Sequence, residues 1–526
     1  MISSKISLLL NIFEQTYLLM NKTVFKILIL LFGITASCYS QESTALWQSH
    51  FSYNNIVDVV SGENKIYAAA ENAVFEYDTL TNEVKTITTV EGLSGGQITT
   101  VYYSTIYQYL LIGYETGLME VYSETDESVL TVVDILEKQN ITPINKRINH
   151  FYESEGLIYI STNYGISIYD LERLEFGDTY FLGNGGSQIT VKQVSVLNNE
   201  IFAACTNNNG IKKANLNNPN LIDFSQWETI ISGNYHTMNT INNRLYSVRE
   251  NRALYEIDGA LISNLFTLPL LPLDAEVSDS NLIFSTTNTI YVYDENIQLI
   301  NSFLPTDDFD TNFTSSTLLD EFIYIGTEDF GVISSQISDG ITYLEIKPNG
   351  PLKNSVFRLN ATTETVWATF GEFTAALNPY PIRSNGISYL SEGSWNNIPF
   401  DNLMGARELN EITPNIFNPN QVFISSFFRG LLELNNYEPT TLYNQTNSGL
   451  ESLALPNNPN YIDIRISASE FDSNGLLWVL NSRVDEALKS YDPITGNWQG
   501  YSFSNLIINA FTDEIGFFDL EIGNDG

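Results

Sequence analysis

Basic residues are scarce in this chain: 24 Lys and Arg stand against 62 Asp and Glu over 526 residues, a formal charge of −38. Such a surface repels nucleic acid and anionic headgroups on average, so nucleic acid is not an expected partner. Histidine is scarcer still. His50, His150 and His236 lie far apart in sequence, and none has a second ligand at metal-site spacing, so no metal is expected. Cysteine is limited to Cys38 and Cys205. If Cys38 leaves with a cleaved leader, no internal disulfide can form. Cys205, in Phe202-Ala203-Ala204-Cys205, then reads as a small buried hydrophobe. A Gly-x-Ser-x-Gly elbow, a phosphate loop and a dinucleotide fingerprint are all missing. No catalytic, cofactor-binding or metal-binding residue is assigned on this basis, and the chain reads as non-enzymatic.

Two local patterns invite chemistry and fail on spacing. Asp307-Asp308-Phe309-Asp310 has the acidity of a calcium loop but lacks its closing glutamate, and reads as a solvated loop. Gly92-Leu93-Ser94-Gly95-Gly96 lacks the helix N-terminus of an anion cradle, and reads as a turn entering a strand near Ile98. Carboxylates are so abundant that any glycosidase pair picked from them carries no information.

Long apolar runs are also missing. The longest candidate, Ile27 to Phe32, follows the basic stretch Lys22-Thr23-Val24-Phe25-Lys26 and precedes the small residues Ala36-Ser37-Cys38. It is too short to span a bilayer, where about 20 residues are wanted. The order basic, apolar, small is that of a secretory signal, with cleavage expected near Ser40 or Gln41. Met20 is a candidate start, because residues 1–19 add neither a repeat nor a targeting pattern. Thr35 occupies the position where a lipoprotein signal usually has an apolar residue, so lipidation of Cys38 is not the expected outcome.

What is abundant is strand. Thirty Tyr, thirty Phe and many β-branched residues alternate with Asn, Gly, Asp and Ser turns, and sustained helical periodicity is rare. Ten short apolar runs recur: Ile66-Tyr67-Ala68-Ala69, Tyr109 to Gly113, Ile158 to Ser161, Ile201 to Ala204, Leu245 to Ser247, Leu282 to Ser285, Ile323 to Gly326, Val366 to Thr369, Val422 to Ser425 and Leu477 to Leu480. Their starts are 37 to 56 residues apart, a period that suits a β-propeller blade. Each run passes through a tight turn into a second apolar run, as in Leu157 to Thr162, Asn163-Tyr164-Gly165, and Ile166 to Asp170. Gly165 is placed to take positive φ there, and Asp170 to end the strand at a polar turn.

The expected architecture is all-β: a leader over 1–41, a seven-bladed β-propeller over 42–345, and a second, apparently incomplete β-propeller over 346–526. Pro348-Asn349-Gly350-Pro351 supplies the junction. Three or four blades do not close a ring, so the sequence reads either as part of a longer chain or as closing differently at its end. The tryptophans support the repeat. Trp47, Trp227, Trp395 and Trp498 fall before or between the hairpins, whereas Trp367 and Trp478 take the second position of the run, equivalent to Tyr67, Tyr159 and Tyr324. Rings in repeated slots are expected to fill the wedges between blades rather than to stack on ligands.

Several stretches resemble the propeller region of the PorZ family of the Bacteroidetes type IX secretion system. They are Trp47 to Asn54, Glu91-Gly92-Leu93-Ser94-Gly95, Leu111 to Gly117, Asn163-Tyr164-Gly165-Ile166 and Gly177-Asp178-Thr179-Tyr180. Phe471 to Val479 is similar to the propeller repeat of periplasmic sensor domains in hybrid two-component regulators. The first resemblance implies an exported, non-enzymatic component of the attachment machinery, in the periplasm or at the outer-membrane surface. It further implies two seven-bladed propellers before a β-sandwich, with sortase, other type IX components and lipopolysaccharide as partners. The second implies a sensor propeller cut from a regulator. A propeller lyase or hydrolase, the third reading, requires charged or His residues converging at one mouth. Binding residues are left unassigned by all three.

Overall fold

Each of the ten apolar runs becomes the second strand of a four-stranded antiparallel sheet. In the computed structural model, described over residues 47–259, 261–374, 378–453, 455, 457–458, 460–503, 505–506 and 519–523, ten such sheets follow one another. They span residues 56–87, 98–132, 148–180, 191–231, 239–267, 274–303, 313–346, 358–398, 409–443 and 465–501, and are numbered 1 to 10 here. The signal segment and Cys38 lie outside the described residues. Every sheet is a simple meander, with strands paired in chain order.

The unbroken hydrophobicity of the second strands follows from burial on both faces. In Lys65–Ala70, Ile66, Ala68 and Ala70 join a cluster with Tyr324, Val332 and Ile346 of sheet 7. Tyr67 and Ala69, pointing the other way, join Val101, Leu110 and Ile112 of sheet 2. The same division recurs around the array: separate hydrophobic clusters lie between sheets 1 and 2, 2 and 3, 3 and 4, 4 and 5, 5 and 6, 6 and 7, and 7 and 1. The core is thus a set of wedges. Two more fill the spaces between sheets 8 and 9 and between 9 and 10.

The first strands of sheets 1 to 7 pack in succession, and that of sheet 7, Phe313–Leu319, returns to that of sheet 1, Ile56–Ser61. The closure is reinforced by the Gly331 amide donating to the Asn54 carbonyl at 2.8 Å and by Lys347 Nζ donating to Asn54 Oδ1 at 2.7 Å. Sheets 8 to 10 contact one another in sequence through their first strands. The unit His50–Gly526 holds all ten sheets, and the segment Ser52 to Asn54 is bonded to Leu352 and Asn354 within it.

Turn chemistry repeats with the sheets. Asp78 Oδ1 accepts from the Leu80 and Thr81 amides, Asp294 Oδ1 from Asn296 and Gln298, and Asp492 Oδ1 from Ile494 and Thr495. Each such Asp closes the turn between third and fourth strands. Asp170 does the same work with the Arg173 amide. Gly165 has φ of 149°, and a Cβ there would stand 2.2 Å from the Tyr180 carbonyl oxygen, so glycine is required. Gly92 and Gly95 take positive φ in the turn that enters the strand at Ile98, as the spacing implied. Cys205 is buried among apolar neighbours, and burial pushes its thiol up to about 12. Trp227 and Trp367 lie in inter-sheet clusters, Trp498 packs against a third, and Trp47 is exposed.

Candidate functional site

The first strand of a sheet does two jobs that the second does not. It carries the polar groups that clasp one sheet to the next, and it turns side chains toward the axis. The clasps are side chains reaching the backbone of the neighbouring first strand. Asp58 Oδ2 accepts from the Val101 amide at 2.9 Å, Thr99 Oγ1 donates to the Ile148 carbonyl at 2.7 Å, and Asn149 Nδ2 to the Val191 carbonyl at 2.8 Å. Asn239 Nδ2 donates to the Ala275 carbonyl at 3.0 Å and Ser278 Oγ to that of Leu318 at 2.8 Å. Asn360 and Asn410 repeat the contact between sheets 8 and 9 and between 9 and 10.

A register shift accompanies the clasps. It falls between Ile56 and Asp58, between Ile98 and Thr100, between Val191 and Gln193, and between Phe313 and Ser316, with a matching shift opposite His150 and Ile148. A bulge inserts one residue and re-aims its neighbours. Here it breaks the apolar alternation where the strands pass the axis.

The result is a cavity of about 210 Å³ walled by first strands of six sheets. Asp58, Glu153, Asp274 and Glu276 all line it, together with His150, Ser195 and Asn239. Burial raises the Asp58, Asp274 and Glu276 carboxyls above their ordinary range, and the repulsion of neighbouring carboxylates raises Asp274 and Glu276 further. Asp58 is partly compensated by donors from Val101, Thr100 and Val59, and Glu276 by Thr317 Oγ1 at 3.1 Å. Burial also lowers the His150 imidazole to about 4, so it is neutral at physiological pH. His150 Nδ1, Glu153 Oε1 and Asn239 Oδ1 are buried there without a hydrogen-bond partner in the protein. Such atoms call for water or a small polar ligand.

His150 is therefore brought among carboxyls that no sequence spacing placed beside it. His50 and His236 are not part of this wall; His50 Nδ1 accepts from the Trp395 indole at 3.0 Å. Among the described residues no group of three or more His, Cys, Asp and Glu is arranged to hold a metal ion. Asp307, Asp308 and Asp310 are exposed, while Phe309 packs on Phe330 and Tyr343. The acidic wall was detectable in principle: Asp58 interrupts Ile56-Val57-Asp58-Val59-Val60, and Asp274-Ala275-Glu276-Val277 alternates acid with apolar. Only knowing that both are first strands gives those interruptions meaning.

Residues 66–228 match a family model described as TSS9, PorZ, N-terminal beta-propeller domain. The fold is similar to that of PorZ from Porphyromonas gingivalis, described as an essential bacterial surface component of the type-IX secretion system. That similarity has a TM-score of 0.76 at 17% identity and covers 88% of this chain and 60% of PorZ. The extracellular domain of a putative hybrid two-component system from B. thetaiotaomicron matches at a TM-score of 0.43 and 12% identity, over 86% of this chain and 59% of that one. No curated protein matches the chain. Residues 66–228 thus match the PorZ N-terminal β-propeller family, and the chain has a PorZ-like fold over about three fifths of PorZ's length.

Proposed function

We propose that this chain is an exported, non-catalytic component of a type IX secretion system, acting at the outer membrane through protein contacts. The observation that carries the reading is the family match over residues 66–228, extended by a similarity of fold across 88% of the chain. The finer assignments are that it binds the system's sortase and lipopolysaccharide, after a signal peptide over 1–41 has been removed. The ring of sheets 1 to 7 is read as one seven-bladed propeller within 42–345, and sheets 8 to 10 as part of a second within 346–526. The axial cavity suits this role better than chemistry, since clasps tie Asp58, Glu276 and Asn239 to the backbone or to side chains of adjacent strands. No helix among the described residues is long and apolar enough to cross a membrane.

Disrupting the gene in its native bacterium tests the reading. Loss of type IX cargo from the cell surface, with the cargo retained in the periplasm, is the expected outcome. Normal surface cargo in the disrupted strain would overturn it, and a regulatory phenotype without a secretion defect would favour the sensor reading.

A further inference from the structure

In a chain with 62 acidic and 24 basic residues, one cleft has the opposite character. Phe400, Met404, Gly405 and Arg407 lie on the connection leaving sheet 8, Arg429 on the turn between the second and third strands of sheet 9, and Asn444 to Thr446 on the connection leaving sheet 9. In a meander these three connections emerge on the same face of the array. Together they enclose about 410 Å³, and the lining contains two arginines and no carboxylate.

Of the acidic residues near this lining along the chain, Asp401 is exposed beside Phe400, and two others are occupied elsewhere. Glu408 accepts from the Glu372 and Arg383 amides. Asp463 holds Arg465 through Nε at 3.0 Å and Nη2 at 2.8 Å, and accepts from the Tyr461 hydroxyl. Arg407 and Arg429 have no ion pair among the described residues. Their guanidinium groups rest over Phe400 at 5.4 Å and Phe428 at 4.8 Å. Ring contact orients such a group without neutralising it or consuming its N–H donors. Gln445 Oε1, an acceptor, is buried there with no partner. Leu442, Ile462 and Ile464 form an apolar wall beside these groups.

We propose that this cleft binds a phosphate monoester group. One guanidinium fork satisfies the two oxygens of a carboxylate, whereas two forks suit a dianion with three free oxygens, leaving Gln445 Oε1 to accept from a hydroxyl of the same ligand. The chain's negative field is screened within about 8 Å at physiological salt, so the local donors decide binding. The apolar wall fits a ligand whose phosphate is attached to an apolar body. This site does not rest on the secretion reading, and neither test decides the other.

Titration calorimetry of the full chain with inorganic phosphate, and flotation with phosphatidylcholine vesicles with and without phosphatidic acid, provide the test. Saturable phosphate binding without vesicle association assigns a soluble phosphate compound; association with phosphatidic acid vesicles, competed by phosphate, assigns a lipid headgroup. Arg407→Gln and Arg429→Gln should each weaken binding by about tenfold, the scale of one charge-assisted hydrogen bond. Thr446→Glu, which leaves both arginines in place, should weaken it as well. Undiminished binding by these variants, with parental thermal unfolding, overturns the proposal. So does a folded parent chain that binds neither phosphate nor either vesicle.

Discussion

Asp274 shows how far a single position can depart from the composition around it. Sixty-two acidic residues make any one of them unremarkable in sequence, yet here burial and neighbouring carboxylates hold the proton on. A carboxyl whose value is raised on folding stabilises the fold below its ordinary range, about 4, and that stability is lost as pH rises through its folded value. Asp58 and Glu276 act with the same sign. The turn residues Asp78, Asp170 and Asp492 act oppositely: amide donors lower the first two, and the Thr495 hydroxyl together with amides lowers Asp492, so their stabilisation is present above the ordinary range and is lost in acid. His150, lowered by burial, also loses its contribution as pH falls. Asp274→Asn removes one charge at nearly constant shape and should flatten the alkaline side of the profile. Above neutrality it should raise stability by about 1 kcal/mol, well below the full displacement because Asp274 is only half-buried. Chemical denaturation across pH 5 to 9 measures it, and an alkaline limb unchanged by the substitution would contradict the account.

At the scale of the sheet, the second strands and the tight turns that follow them were legible because burial on both faces demands continuous hydrophobicity. Ile158-Tyr159-Ile160 needs no context to be read as such a strand, since Ile158 and Ile160 serve one wedge and Tyr159 the next. First strands were not legible, because their residues answer to three neighbours at once. Asn149 clasps Val191, His150 lines the axis, and Phe151 joins the wedge between sheets 2 and 3. The wide spacings late in the chain also have a local cause: residues 370–386 intervene between the second and third strands of sheet 8, and 444–464 between sheets 9 and 10. Trp367, in the equivalent slot to Tyr67, fills the wedge between sheets 8 and 9. Trp367→Ala should cost about 3–5 kcal/mol, the usual penalty for emptying a buried aromatic site. Hydrogen exchange should show protection falling in sheets 8 and 9 while sheets 1 to 7 keep theirs. Equal loss in all ten sheets would mean that the wedges do not act as separate packing units.

For the molecule as a whole, ten copies of one meander present a large surface for docking. Side-chain clasps tie the inner strands of neighbouring sheets together, and the fold is similar to that of PorZ. Co-purification of the protein, expressed from its own locus, out of outer-membrane extracts is the most direct test of that assignment. The account predicts that the type IX sortase comes with it, at a recovery lost when the ring of sheets 1 to 7 is removed. Recovery without sortase or any other type IX component would contradict it.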